Sequence, residues 1–195
     1  MNTLEAFDEV RFFNGRLFTD MEALTQKIRI IRAQGNRIVL TSGSFDLSHI
    51  GHMRYLWSAR QLGDFVIVGI DSDEKVRNRK GEYRPVIPEN ERAEMVLHNY
   101  ADVVFIKPVH EEKWATIKAI CPDVLLISQR VGYDEEQQKA LSEYCGEICN
   151  LPSQASTSTS ASVRRLQMET LVPCLTKIRD MADQMMRGMH GEGEP

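Results

Sequence analysis

The sequence predicts a doubly wound α/β domain: a mostly parallel five-stranded sheet with flanking helices and a C-terminal helical extension. Three observations carry that prediction. Short apolar runs recur about every 25 residues along the chain, and helical patterns fill the intervals, as in successive βαβ units. The clearest run, Phe65-Val66-Ile67-Val68-Gly69-Ile70, is apolar on consecutive positions, as a strand covered on both faces must be. The length, 195 residues, suits one domain with a short extension and buries roughly 70% of the unfolded surface, enough for a core.

Residues 1–19 have weak periodicity and are read as an N-terminal arm. Asp20 can cap a helix running to about Ala33, whose Leu24, Ile28 and Ile31 share one face, and Gly35 stops it. Arg37–Thr41 is a strand ending at Ser42-Gly43. A helix follows from about His49 to Gln61, closed by Gly63, and Phe65–Ile70 is the second strand. Pro88 opens a helix through Leu97. Val103–Ile106, Val124–Ile127 and Glu147–Leu151 are the remaining strands, with helices over 112–120 and 134–145 between them. The domain is expected to span residues 20–170. A last helical stretch covers roughly 160–188, with Pro173 as the place where it would divide, and the extension proper is 171–188. Its Met-rich end (Met181, Met185, Met186, Met189) suits packing against the domain or a homodimer contact. The tail, 189–195, is expected to be disordered.

Composition narrows the function classes. Hydrophobic residues make up 42% and charged residues 27%, with a formal net charge of −4, an ordinary globular balance. A pI near 5.8 with mixed charges argues against a duplex-DNA binder, so no nucleic-acid partner is expected. No window approaches the ~18 unbroken apolar residues of a membrane span. The start has no basic segment followed by an apolar stretch, so no secretory signal is expected. Four cysteines are too sparse for a disulfide scaffold, and the expectation is reduced thiols in a cytoplasmic protein.

The loop after the first strand is where an open α/β sheet would bind a ligand. It reads Ser42-Gly43-Ser44-Phe45-Asp46-Leu47-Ser48-His49-Ile50-Gly51-His52. No G-x-G-x-x-G is present, so a dinucleotide dehydrogenase is a poor fit. His49 and His52 are three apart, and both rings can face one side of a helical turn. Gly51 lets a ligand approach the backbone, and free N–H groups at the helix start favour phosphate. The set forms a cradle for polyphosphate. A second cluster, Ser158-Thr159-Ser160 followed by Arg164 and Arg165, offers hydroxyl and guanidinium donors for the same kind of anion. A third, Arg77-Asn78-Arg79-Lys80-Gly81 with Arg84 and Arg92, follows Asp71-Ser72-Asp73 at the second strand's carboxyl end, on the same rim as the histidines.

These residues resemble the cytidylyltransferase-like nucleotidyltransferases, the superfamily that carries a HIGH motif. The motif stands here literally as His49-Ile50-Gly51-His52, and its second signature is similar to Ser158–Arg165. The resemblance covers about residues 20–168. Within the superfamily the chain is most similar to the nucleotidyltransferase domain of ADP-heptose synthases. Ala59–Asp64, Asp71–Glu74, Arg84-Pro85-Val86, Glu91-Arg92 and Pro122–Leu125 carry that similarity.

The resemblance implies a Rossmann-like fold and transfer of AMP or CMP from a nucleoside triphosphate, usually with Mg²⁺. The acceptor would be a small phosphorylated metabolite, such as a sugar phosphate of the heptose 1-phosphate type. His49, His52, Lys80 and Arg165 are then the catalytic set. Ser42, Gly43, Ser44, Phe45, Asp46, Gly51, Asp71, Ser158, Thr159 and Ser160 would line the nucleotide, with Asp46 orienting the motif or assisting the metal. Arg84, Arg92 and Arg130 are candidates for the acceptor.

Two loops depart from the family. Heptose-type members carry a Lys-Gly-Gly-Asp-Tyr-like loop where this chain has Ser128-Gln129-Arg130-Val131-Gly132-Tyr133-Asp134. Glycerol-phosphate cytidylyltransferases carry Arg-Thr-Glu-Gly where this chain has Ser153-Gln154-Ala155-Ser156. The alternatives are a cytidylyltransferase for an alcohol phosphate or phosphonate, an adenylyltransferase of the FAD-synthase kind, and a non-catalytic nucleotide-binding protein. A class I aminoacyl-tRNA synthetase would need a Lys-Met-Ser-Lys-Ser loop that this chain lacks.

Overall fold

Two faces of one sheet organise the chain in the computed structural model, which describes residues 8–129, 133–156 and 159–190. In chain order the elements are α1 (Glu9–Phe13), β1 (Leu17–Phe18), α2 (Met21–Ala33), β2 (Ile38–Gly43), α3 (Ile50–Arg60), β3 (Phe65–Asp71) and α4 (Asp73–Lys80). They continue with α5 (Glu89–Leu97), β4 (Val103–Lys107), α6 (Ala115–Ile120), β5 (Val124–Ser128), α7 (Glu135–Leu141), β6 (Glu147–Leu151) and α8 (Thr159–His190). The strand order is β1-β4-β3-β2-β5-β6, and every neighbouring pair is parallel.

The fold is the doubly wound α/β architecture that the sequence predicts, with one strand more. The sixth strand, β1, comes from the segment read as an arm, where Leu17 and Phe18 pair with Val104 and Phe105 of β4. A two-residue strand is too short to show a period. The arm is anchored further by Arg16, which donates to the Leu97 carbonyl at 3.0 Å, and by Phe12, whose ring stacks on His98.

Alternate residues of each central strand enter opposite cores. Val39, Val66, Val68, Ile70, Val104 and Ile106 pack with Leu56 of α3 and Ala93 and Val96 of α5. Ile38, Leu40, Ile67, Val103 and Phe105 pack with Leu24 and Ile28 of α2 and with Ile117 and Ile120 of α6. The continuous apolar runs follow from this two-sided burial.

Helix α2 starts where the sequence places it. The Asp20 carboxylate accepts from Glu22 N and Ala23 N, and Gly35 ends the turn at φ +82°. Helix α4, which carries the basic cluster after the second strand, is a helix the sequence pattern does not show. Val76 is its one buried side chain, so it has no apolar stripe to detect. What holds it is Ser72 capping Lys75 N, acids in the first turn and Arg77, Arg79 and Lys80 in the last, a charge order that complements the helix dipole.

The chain divides into two units, Met1–Ser156 and Thr157–Pro195, earlier than the residue-170 boundary the sequence suggests. Helix α8 belongs to the second unit. It passes Pro173 without dividing and reaches His190, so the first residues of the expected disordered tail are helical. Residues 191–195 of that tail lie outside the described residues. Among the described residues no helix is long and apolar enough to cross a membrane.

Candidate active site

The strand order reverses at β2, which pairs with β3 on one side and β5 on the other, and the crevice for a ligand opens beyond the carboxyl ends at that point. Buried Thr41 and half-buried Tyr55 fasten the switch. Their hydroxyls lie 2.7 Å apart, and each lies 3.0 Å from the Leu126 carbonyl of β5, which accepts. Burial pushes the Tyr55 phenol up to about 12, so it stays a neutral donor.

From β2 the chain enters a strained loop. Phe45 and Leu47 adopt φ of +49° and +48°, a region that costs residues with a β-carbon about 1–3 kcal/mol each. The strain is held by burial of the Phe45 ring in the core and by Ser48, whose hydroxyl donates to the Phe45 carbonyl at 2.8 Å. A β-carbon at Gly43 would sit 3.0 Å from the Phe45 ring, so this bend needs a glycine beside it.

The loop delivers His49 as the cap of α3. His49 Nδ1 accepts from Gly51 N at 3.1 Å, and His52 Nδ1 accepts from His49 N at 3.2 Å, a reciprocal capping box. With both Nδ1 atoms accepting, the hydrogen bonds assign the ring protons to Nε2. The ring centroids are 4.3 Å apart. Burial, then His49 and Lys80, lower the His52 pKa to about 4, which makes it a neutral donor at pH 7. A β-carbon at Gly51 would lie 2.8 Å from His49 Cε1 and 3.0 Å from Ala155 Cβ. The glycine therefore makes room for the ring it follows.

Lys80, the last residue of α4, reaches the same loop, and its Nζ donates to Ser44 Oγ at 2.7 Å. Burial and the neighbouring Arg79 and Arg84 lower its pKa. His49, His52, Ser44 and Lys80 are thus assembled by one loop and one helix end. Ser42 is exposed at the end of β2.

Four other expected contacts, Asp46, Arg84, Arg92 and Asp71, have different places. Asp46 is buried and both its oxygens are engaged: Oδ2 accepts from Arg84 Nε at 2.6 Å and pairs with Arg84 Nη2, and Oδ1 accepts from Val86 N and Ile87 N. Arg84 is therefore spent on Asp46, and the pair pins residues 84–87 behind the cradle. Arg92, read as an acceptor or phosphate contact, is fully buried. It donates to the Ser44 carbonyl at 2.5 Å, to the Ile87 carbonyl at 2.9 Å and to Asp73 at 2.6 Å, so it positions the loop from within. Asp71 is buried too, paired with Arg79 at 2.7 Å and Lys107 at 3.1 Å. Burial alone would raise its carboxyl, but Lys107 and Arg79 outweigh burial and hold it below the usual range. Sequence reasoning gave no role to Lys107 or Asp73, because Lys107 acts across the β3–β4 pair and Asp73 acts between α4 and α5.

Arg165, in the second unit, is exposed and pairs with Glu169 at 2.7 Å. Thr159 and Ser160 open α8. Ser158 and Arg130 lie outside the described residues. Among the described residues no group of three His, Cys, Asp or Glu side chains could hold a metal ion. With Asp46 engaged, the described residues do not fit a Mg²⁺ site of the protein's own.

One strand further along the rim, a cavity of about 670 Å³ opens between the N-termini of α4 and α5 and the turn after β4. Ser72, Asp73, Glu89, Asn90 and His110 are among its walls, and neither cradle histidine is.

Comparison with known proteins agrees with this geometry. A family model described as cytidylyltransferase-like matches residues 40–169. The bifunctional protein HldE of Wolinella succinogenes is 38% identical over 137 residues, 70% of this chain and 28% of that protein. The bifunctional protein HldE of Alkalilimnicola ehrlichii is 37% identical over 158 residues, 79% of this chain and 32% of that protein. The chain thus spans about a third of the length of the curated relatives it matches. In fold it is similar to a lipopolysaccharide core biosynthesis protein from Thermoplasma volcanium, with a TM-score of 0.54 and 24% identity over 61% of this chain and 98% of that one. With the family model matching most of the chain, and its match beginning in the strand that feeds the two histidines, the chain belongs to the cytidylyltransferase-like family of nucleotidyltransferases.

Proposed function

We propose that the chain transfers AMP or CMP from a nucleoside triphosphate to the phosphate of a small acceptor, a sugar phosphate of the heptose 1-phosphate type, releasing pyrophosphate. The observation that carries this reading is the convergence of two N–H-donating imidazoles and a lysine on one strained loop at the switch point. An acceptor phosphate oxygen attacks the α-phosphorus, the bond from that phosphorus to the bridging oxygen breaks, and pyrophosphate leaves with the electron pair. The nucleophile is already ionised near neutrality, so no proton must be removed. What the site must supply is charge stabilisation and alignment. His49 and His52 donate from Nε2 to the α- and β-phosphate oxygens. Lys80 bridges the α-phosphate and the incoming phosphate. Ser42, Ser44 and the backbone of Gly43 and Gly51 line the nucleotide.

Mg²⁺ enters as part of the substrate, carried on the triphosphate oxygens, which is the usual way this ion is held. The acceptor's hydroxyls fit the cavity beside α4 and α5, where Asp73 and Glu89 offer acceptors and Asn90 and His110 offer donors. The sequence pattern alone supports giving Ser158, Thr159, Ser160 and Arg165 to the outer phosphates, and Arg130 to the acceptor. Four cysteines without a disulfide suit a reducing, cytoplasmic setting.

The test is pyrophosphate release with Mg²⁺ across ATP, CTP, GTP and UTP, against heptose, hexose and glycerol phosphates, a phosphonate and FMN. Release with ATP or CTP and a sugar 1-phosphate is the expected result. Release only with an alcohol phosphate, a phosphonate or FMN would overturn the acceptor assignment. Tight triphosphate binding with no release across the panel would overturn the enzymatic reading.

A further inference from the structure

Helix α8 carries an apolar seam with the period of a coiled coil. From Met168 the positions Leu171, Leu175, Ile178, Ala182 and Met185 follow at alternating steps of three and four, a heptad spacing that differs from the drifting stripe of an ordinary surface helix. Val172, Met181 and Met186 widen the seam on both sides. The opposite face carries Glu169, Thr176, Lys177, Asp180, Asp183 and Gln184. All of the seam is exposed, and its large side chains, with neighbouring Leu166, show 46% to 67% of their surface.

A helix of this kind is not self-sufficient. Most helical stability in proteins comes from packing of an apolar face, and an interior proline costs about 3 kcal/mol. Pro173 falls on the polar face, two positions from Leu171 and Leu175, so it leaves the seam unbroken while raising the helix's need for a partner.

We infer that the seam is the contact for a second copy of this chain, α8 against α8. Three facts select that occupant. The seam from Met168 to Met185 runs about 26 Å, whereas α2, the next-longest described helix at 13 residues, reaches about 20 Å and turns its apolar residues Leu24 and Ile28 into the core. Eight exposed apolar side chains along the seam amount to on the order of 800 Å² per chain, beyond what single chains leave open and close to the ~800 Å² per partner of a stable complex. The seam is also self-compatible: of its flanking positions from 172 to 186, Arg179 alone is charged, so a two-fold pairing lays an apolar strip on its own copy. The inference stands on α8 alone and does not depend on the chemistry assigned to the histidine cradle.

The test is the mass of the full chain in solution, by light scattering on a sizing column and by sedimentation equilibrium, for three proteins. These are the wild type, the seam variant Leu175→Asp with Ile178→Asp, and the outer-face variant Thr176→Asp with Gln184→Asp. Both variants add two carboxylates to the same helix, so a general effect of charge on folding would touch both. The expected result is a two-chain mass for the wild type and the outer-face variant, and a one-chain mass for the seam variant. A one-chain wild type would overturn the inference, and so would a seam variant that keeps the two-chain mass. An outer-face variant that also drops to one chain would overturn the assignment of the seam.

Discussion

The two rims of the sheet use carboxylates in opposite ways. At the amino-terminal rim they accept from backbone donors. Asp64 takes Arg37 N at 2.9 Å, Asp123 takes Ile38 N at 2.7 Å, and Asp102 takes Val66 N at 2.7 Å while also holding Arg60. At the carboxyl-terminal rim they hold cations: Asp46 with Arg84, Asp71 with Arg79 and Lys107, Asp73 with Arg92. The lower rim closes orphan N–H groups that burial would leave without water. The upper rim fixes arginines and lysines around the histidine loop. Damage below should therefore appear as lost stability, and damage above as lost chemistry.

Arg92 is the place where this division breaks, because it serves the upper rim from inside the core. Arg92→Met should cost about 3–5 kcal/mol of stability, since it strands Asp73 and two carbonyls. Denaturant unfolding measures it, and a loss below 1 kcal/mol would show that the strut is dispensable. His52→Ala should act mainly on chemistry. Loss of one donor to developing charge typically costs ~2.7–4 kcal/mol of barrier, about 10²–10³ in rate. Pyrophosphate release would fall by that factor with stability lower by only the ~1 kcal/mol of the lost capping bond to His49 N, and near-normal kcat would contradict the placement of the site.

Asp102→Ala sharpens the contrast from the other rim. Val66 N loses its acceptor and Arg60 its partner, so stability should drop by about 1–3 kcal/mol with kcat/KM unchanged. A rate defect without a stability defect would erase the distinction between the rims.

The smallest effect is a pH slope. His52 has its pKa lowered from 6.5 to about 4, so between those values the unfolded chain binds a proton that the folded chain does not. Stability contributed by this group is whole above pH 6.5 and declines as pH falls toward 4. His52→Gln should flatten that part of the curve. Melting temperatures of both proteins across pH 7 to 4 check it, and parallel curves would refute the shift.

Strands and cradle were legible in the sequence for a physical reason: burial on both faces writes consecutive apolar residues, and a ligand loop writes small residues and histidines in one local stretch. Helix α4 was not legible, because capping and dipole complementarity hold it where an apolar face would. Strand β1 was too short to have a period. Asp46, Arg84 and Arg92 read as ligand contacts because a charged side chain near a glycine-rich loop looks available. That both oxygens of Asp46 are already occupied depends on partners 38 to 41 residues away, and that Arg92 is depends on Ser44, 48 residues away, and Asp73, 19 away, relations no local pattern carries. Pro173 read as a break, but α8 continues past it.

The Arg92 guanidinium joins two walls. One nitrogen holds the Ser44 carbonyl in the nucleotide loop, and another holds Asp73 at the mouth of the neighbouring cavity. A planar, buried group cannot bend, so these walls move together or not at all. Two substrates bound against them would meet at a separation set by the width of a single side chain. In such a site the collision of two free molecules becomes an encounter at fixed range, an advantage worth up to about 7–11 kcal/mol where alignment is good.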